Sequence, residues 1–236
     1  MIRLENITKY FEHKGSKKLI FENASCEIPS GQNVVVLGKD GSGKSVLTNM
    51  IAGVSFPDQG NIIVDETHSW PVGYKSSIVQ NLTARENVEL VTMLLQAGKA
   101  ERKRIHEFVQ EFTEIGKYYD VAVKTYAKSM RSRLSFAICF AFEFDTYLLD
   151  DFNFSSDSLL ADKAWDFINN NRPNSRLILA SKNLNFIKEH CDSALVINNN
   201  KLHFFENIDT AVEECKKMFK NPGDIFLDDG NNDSGE

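Results

Sequence analysis

Val34-Val35-Val36-Leu37-Gly38-Lys39-Asp40-Gly41-Ser42-Gly43-Lys44-Ser45 is the stretch on which the reading of this chain turns. The apolar run predicts a strand over Asn33 to Leu37, and Val46-Leu47-Thr48-Asn49-Met50-Ile51 continues as a helix. Between them Gly38 to Ser45 matches G-x-x-x-x-G-K-[ST] in the strand–loop–helix setting its mechanism requires. The glycines let successive main-chain N–H groups turn inward onto phosphate oxygens, and the helix aims its positive end at the same anion. Lys44 is placed to neutralise β- and γ-phosphates, and the Ser45 hydroxyl to ligate Mg²⁺. The candidate nucleotide-binding residues are therefore Gly38, Lys39, Asp40, Gly41, Ser42, Gly43, Lys44, Ser45 and Val46.

A second segment, Tyr147-Leu148-Leu149-Asp150-Asp151, reads as an apolar strand ending in two carboxylates. Such a strand brings Asp150 to the mouth of the phosphate loop, where it holds Mg²⁺ through water, and Asp151 to the place of an attacking water. Taken alone, the pair could also be an acidic turn.

The rest of the chain bounds the answer. Its 236 residues are 42% hydrophobic and 25% charged, the composition of an ordinary globular protein. A chain of this length buries enough surface to need no disulfide or structural metal. The longest apolar run is the seven residues Phe136 to Phe142, far short of a bilayer span. The start Met1-Ile2-Arg3-Leu4-Glu5-Asn6 mixes charge with apolar residues and reads as neither signal nor transit peptide. Cys26, Cys139, Cys191 and Cys215 form no C-x-x-C pair, so they are expected as reduced thiols. Five acidic residues (Asp224, Asp228, Asp229, Asp233 and Glu236) follow the last basic one, Lys220, so of the formal −6 only −1 belongs to residues 1–223. A nearly neutral body argues against a nucleic-acid partner. Residues 221–236 are expected to be an acidic, disordered tail outside a domain spanning 1–220.

Strands are expected at Asn33 to Leu37, Asn61 to Val64, Thr146 to Asp150, Arg176 to Ala180, Ala194 to Asn198 and Lys201 to Phe205. Between the second and third, Ile105, Phe108, Val109, Phe112 and Ile115 recur at helical spacing, and Ser132 to Phe144 is a further helical stretch. This alternation predicts an α/β fold with a mostly parallel sheet and a helical lobe, about 83–144, inserted in the core.

These residues together resemble the ATP-binding subunit of an ABC transporter, from Ile2 to about Met218. The chain is most similar to the subfamily that exports capsular and related polysaccharides, through Ser69-Trp70-Pro71-Val72-Gly73, Leu82-Thr83-Ala84-Arg85-Glu86-Asn87-Val88, Gly116-Lys117-Tyr118-Tyr119-Asp120, Lys124-Thr125-Tyr126 and Met130-Arg131-Ser132-Arg133-Leu134. The resemblance implies a P-loop NTPase with a RecA-like core, an N-terminal antiparallel β portion and the inserted lobe. It implies a head-to-tail dimer that sandwiches ATP and Mg²⁺ between the phosphate loop of one copy and the signature segment of the other. Phe11, or its neighbour Tyr10, matches the aromatic that stacks on adenine. Asp157 matches the acidic residue of the loop after the catalytic strand, or equally serves as a helix N-cap.

The chain departs from the family at several of these positions. Asp151 stands where the family has a catalytic glutamate, one methylene or about 1.5 Å shorter. Lys182, in Ala180-Ser181-Lys182-Asn183, stands where it has a histidine facing the γ-phosphate; it pairs with phosphate but cannot accept a hydrogen bond, or it is a solvated surface lysine. The signature segment Ala127, Lys128, Ser129 and Met130 lacks a hydroxyl at Ala127 and carries a β-carbon at Ser129 where glycine is usual. Gln80 lies one position after the family's glutamine, where Val79 stands.

The expected function is ATP-driven export of a polysaccharide, with slow hydrolysis, on the cytoplasmic side of the bacterial inner membrane. The expected partners are a polytopic permease docked on the lobe and a second cassette, in a homodimer or a heterodimer. Beyond Met218 the chain is too short for a glycan-binding domain. The alternatives are a nucleotide-gated subunit paired with an intact homologue, and an ABC regulator that transports nothing.

Overall fold

A computed structural model describes residues 1–13, 15–72, 78–150 and 158–226. Asp151 and Asp157, and Gly73 of the Trp-Pro-Val-Gly motif, lie outside the described residues.

Eight strands and seven α-helices occur among the described residues. β3 (Val34–Leu37) is at the centre of a five-stranded sheet in the order β5 (Thr146–Leu149), β6 (Arg176–Leu179), β3, β7 (Ser193–Asn198), β8 (Lys201–Phe205). The first four strands of that order are parallel, and β8 returns antiparallel to β7. The six expected strands thus form, with ends shifted by no more than two residues. A second, antiparallel sheet has the order β2 (Ser16–Ile28), β1 (Ile2–His13), β4 (Gln59–Val64).

Strand alternation divides β3 between two cores. Val34 and Val36 face the antiparallel sheet, joining Ile2, Leu4, Phe21 and the helix α1 (Lys44–Ile51) through Leu47, Met50 and Ile51. Val35 and Leu37 face the larger core. That core takes its helices from α2 (Ala84–Leu94), α3 (Lys99–Thr113), α4 (Lys128–Phe140), α5 (Ser158–Asn171) and α7 (Ile208–Met218). α4 is buried without interruption from Leu134 to Phe140, because it is covered both by α3 of the lobe and by the core beyond it: Phe140 packs on Phe112, on Tyr147 of β5 and on Phe167 of α5. It begins at Lys128, four residues before the expected start, so the signature segment belongs to its first turn.

The Trp-Pro-Val segment has a structural part to play. Ser69 N and Val72 N donate to Thr146 O and Leu148 O, extending the sheet beyond β5, and Trp70 packs edge-on against Phe142 and Phe144.

The chain's end corrects one expectation. Residues 221–226 are not tail: Pro222–Asp224 forms a short turn, and Ile225 and Phe226 are buried in the larger core beside Phe219. Three apolar side chains outweigh the acidic composition there. Residues 227–236 lie outside the described residues.

Arg176 ties the two sheets together from below. Its guanidinium is almost fully buried and donates to Glu66 Oε1, to Thr146 Oγ1 at 2.9 Å and to the Pro29 carbonyl. Burial raises the Glu66 carboxyl, but the hydrogen bonds from Thr146 and Arg176 prevail and bring it down to about 2. A carboxyl lowered on folding stabilises the protein above its ordinary pKa, and that contribution is lost as pH falls through the folded value. Denaturant unfolding followed from pH 5 to pH 2 is therefore expected to show stability falling across that window. Arg176→Ala, which removes the buried guanidinium and leaves the Met1 ammonium, 2.9 Å from Oε2, as the remaining charged partner of Glu66, is expected to cost about 3 kcal/mol at neutral pH. A loss under about 1 kcal/mol would show the pair to be peripheral.

Candidate functional site

The loop from Gly38 to Gly43 leaves the carboxyl end of β3 and enters α1, so it sits at the middle of the parallel sheet. Gly43 is the N-cap of α1 with φ +109°, in the left-handed region. A β-carbon there would lie 2.4 Å from Ile20 Cγ2 and 3.1 Å from the Phe21 ring. β2 thus presses against the loop so closely that only glycine fits. Inside the loop Ser42 N donates to Lys39 O at 3.1 Å, and Leu47 N donates to Gly43 O at 2.8 Å, starting the helix.

Lys44 folds back over the loop, its ammonium donating to the carbonyls of Gly38 (2.7 Å) and Lys39 (3.1 Å). Ser45 follows on the first turn, and its hydroxyl donates to Asp150 Oδ1 at 2.9 Å. Asp150 is carried there by β5, and its N–H donates to Val72 O. Two segments 105 residues apart thus meet as one pair of hard oxygen donors beside a helix N-terminus. Such a set fits Mg²⁺, which takes one or two protein oxygens and fills its shell with water and phosphate oxygens.

The loop opens into a cleft of about 620 Å³, within the range of small-molecule sites. Lys44, Ser45, Val46 and Asp150 line it together with Phe11, Ser16 and Lys18 of the antiparallel sheet. Phe11 is half exposed and faces the cleft, whereas Tyr10, on the alternate face of β1, does not line it. Lys18 was not singled out from the sequence; its ammonium donates to Gly41 O at 3.0 Å from β2. The Lys17-Lys18 pair soon after Phe11 was the signal for it.

Lys182 also reaches this site. It lies between β6 and α6 (Leu184–His190), and its ammonium is 2.8 and 2.9 Å from the two carboxylate oxygens of Asp40. Lys44 Nζ is 3.9 Å from Asp40 Oδ1. The Lys182 hydrogen bond, helped by the nearby charges of Lys182 and Lys44, holds the Asp40 carboxyl below its ordinary range. Lys39 points away from the cleft and pairs with Asp224 at 2.9 Å.

Among the described residues, Gln80 and the segment Ala127 to Met130 are not brought into the cleft. Gln80 is exposed, and its carbonyl accepts from Lys124 N at 2.8 Å, while Val79 is held by main-chain hydrogen bonds with the Asn87 side chain. Ala127 to Met130 stand at the start of α4, with Ala127 as an N-cap that offers no side-chain acceptor. No acidic residue lies in that first turn, which carries Lys128 and is followed by Arg131, so the side chains there add positive charge to the positive end of the helix dipole.

Residues 21–152 match the family model of the ABC transporter. The chain is 40% identical to the polysialic acid transport ATP-binding protein KpsT of Escherichia coli, over 92% of this chain and 96% of that protein. It is 32% identical to the ATP-binding protein BexA of Haemophilus influenzae, over 90% and 97%. It is 30% identical to the capsule polysaccharide export ATP-binding protein CtrD of Neisseria meningitidis, over 90% and 97%. Among solved structures it resembles an ATP-binding cassette captured as a dimer with ADP and Pi, at a TM-score of 0.75 and 19% identity, over 87% of this chain and 98% of that one.

The uncapped start of α4 gives a direct test. Ala127→Ser supplies the missing acceptor and is expected to stabilise the chain by about 0.5–2 kcal/mol, read as a higher midpoint in denaturant unfolding. An unchanged midpoint would show that this helix end is already satisfied.

Proposed function

The chain belongs to the ABC transporter family, and from that premise we propose that it is the ATPase subunit driving export of a capsular or related polysaccharide across the bacterial inner membrane. The cleft by itself specifies a nucleotide, not a cargo. The observation that carries the cargo is the 40% identity, over 92% of the chain, to a polysialic acid transport ATP-binding protein.

In this reading Phe11 stacks on adenine, the loop from Gly38 to Gly43 wraps the phosphates, and Lys44 turns from the loop carbonyls to the β- and γ-phosphates. Ser45 and Asp150 hold Mg²⁺, which when bound offsets the charge on the phosphate oxygens. Asp151 orients the attacking water and Lys182 contacts the γ-phosphate. A second cassette, identical or homologous, completes the site with Ala127 to Met130 at the electropositive start of α4 and with Asp157 beside its partner's loop. No helix of the described residues is long and apolar enough to cross a membrane. From its likeness to transport ATP-binding proteins we place the subunit at the cytoplasmic face, held by a polytopic permease that docks on the lobe (83–144) and the segment around Gln80.

The substitutions at Asp151, Lys182 and the signature segment lead us to infer slow hydrolysis. A general base works within roughly 2.6–3.2 Å of its proton, and the shorter carboxylate of Asp151 retreats from that range. The Asp151→Glu, Lys182→His double variant is expected to turn over ATP about tenfold or more faster than the native chain. Native turnover that the substitutions leave unchanged would contradict the inferred attenuation. The export function is tested in the source bacterium by deleting the gene and measuring surface polysaccharide. The native gene is expected to restore export and Lys44→Ala to fail; restoration by Lys44→Ala would refute an ATP-driven role.

A further inference from the structure

Asp40 is out of place in a loop built to attract anions. Alone, its carboxylate would repel a phosphate group held by the same loop. Yet it is exposed toward the cleft and engaged by Lys182 through both oxygens, at 2.8 and 2.9 Å. The two residues follow the carboxyl ends of the neighbouring parallel strands β3 and β6 and are 142 positions apart.

The main chain on the Lys182 side is fixed. Ala180 N donates to Leu149 O at 3.0 Å, and Ala180 and Ser181 are buried. Asn183 caps α6, its side chain accepting from Phe186 N at 2.9 Å. The long Lys182 side chain is therefore anchored at its root by β6 and α6, and at its tip by Asp40. Without that second anchor, four rotatable bonds would let the ammonium range through solvent.

Resting on the assignment of Lys182 to the γ-phosphate, we propose that Asp40 is a positioning residue that aims Lys182 at that group. An ammonium has three N–H donors. Lys182 can keep Asp40 and still offer an N–H to a terminal phosphate oxygen, so the pair rewards a triphosphate and gives a diphosphate nothing more. Asp40 touches no reacting atom in this scheme; it acts through Lys182. Lys44, 3.9 Å from Asp40, supplies the second positive charge that makes a carboxylate tolerable in the loop.

The test is equilibrium binding of ADP and of β,γ-imido-ATP, each with Mg²⁺, to the full chain. The readout is the ratio of the two affinities, in which any uniform effect of a substitution on phosphate binding cancels. The native chain is expected to favour the triphosphate. Lys182→Gln is expected to cut that preference about tenfold, the low end for a hydrogen bond to a charged group. Asp40→Asn is expected to cut it by a similar factor, Asp40→Glu by less, and the Asp40→Asn, Lys182→Gln double variant no further than either single change. A native ratio in Asp40→Asn overturns the proposal, as do losses that multiply in the double variant. A native ratio in Lys182→Gln overturns the assignment of Lys182, and with it the role of Asp40. A native chain that binds neither nucleotide overturns the phosphate-loop reading itself.

Discussion

The β-carbon that Gly43 lacks would sit 2.4 Å from Ile20, and the rest of the site follows from that closeness. β2 belongs to the antiparallel sheet, and the loop belongs to the parallel one, so the contact joins the two halves of the molecule at the cleft itself. Because the chain must turn there in the left-handed region, α1 starts directly beneath the loop, with Lys44 and Ser45 in its first turn. Asp150 can meet Ser45 only because β5 runs parallel to β3, with β6 between them, and ends at the same edge. In open α/β sheets the crevice at the carboxyl ends of the strands is where ligands bind, and this one follows that rule.

Charge at the cleft is arranged in pairs. Lys44 rests on loop carbonyls, Lys18 on Gly41, Lys182 on Asp40, and Lys39 turns outward to Asp224. None of these contacts is strong in water, where exposed pairs contribute about 0–1 kcal/mol. Their effect is to keep Lys44, Lys18 and Lys182 ordered around a small volume before any phosphate is there, so less ordering remains to be done on binding. The buried pair of Arg176 and Glu66 differs in kind. It joins β6 to the segment after β4, far from the cleft lining, and sustains the scaffold that the lysines stand on.

Much of this was legible in the residues. The phosphate loop, its strand and its helix are a continuous run, and each of the six expected strands is short, apolar and bounded by polar residues. The antiparallel sheet was expected only through family resemblance, because β1 and β2 do not alternate cleanly. Their pairing slips at Leu4/Ile7, Ile7/Lys9 and Lys9/Tyr10, and Asn6 and Asn23 take φ of +50° and +43°. Each slip moves side chains to the other face and erases the period of two. The early start of α4 was hidden by the basic residues of its first turn, which suit a helix N-terminus poorly. The pairing of Asp40 with Lys182 could not be read at all. Each is an ordinary surface residue in its own segment, and only the order of strands in the sheet brings them together.

The account stands or falls on the loop that Gly43 closes. Binding of Mg²⁺-ATP to the native chain and to Gly43→Ala, with far-ultraviolet circular dichroism to establish that both are folded, tests it most directly. The expected result is saturable binding by the native chain and a loss of at least about a hundredfold in the variant, since the added carbon must displace Ile20 and strain the turn at once. Folded Gly43→Ala that binds ATP as well as the native chain would contradict it.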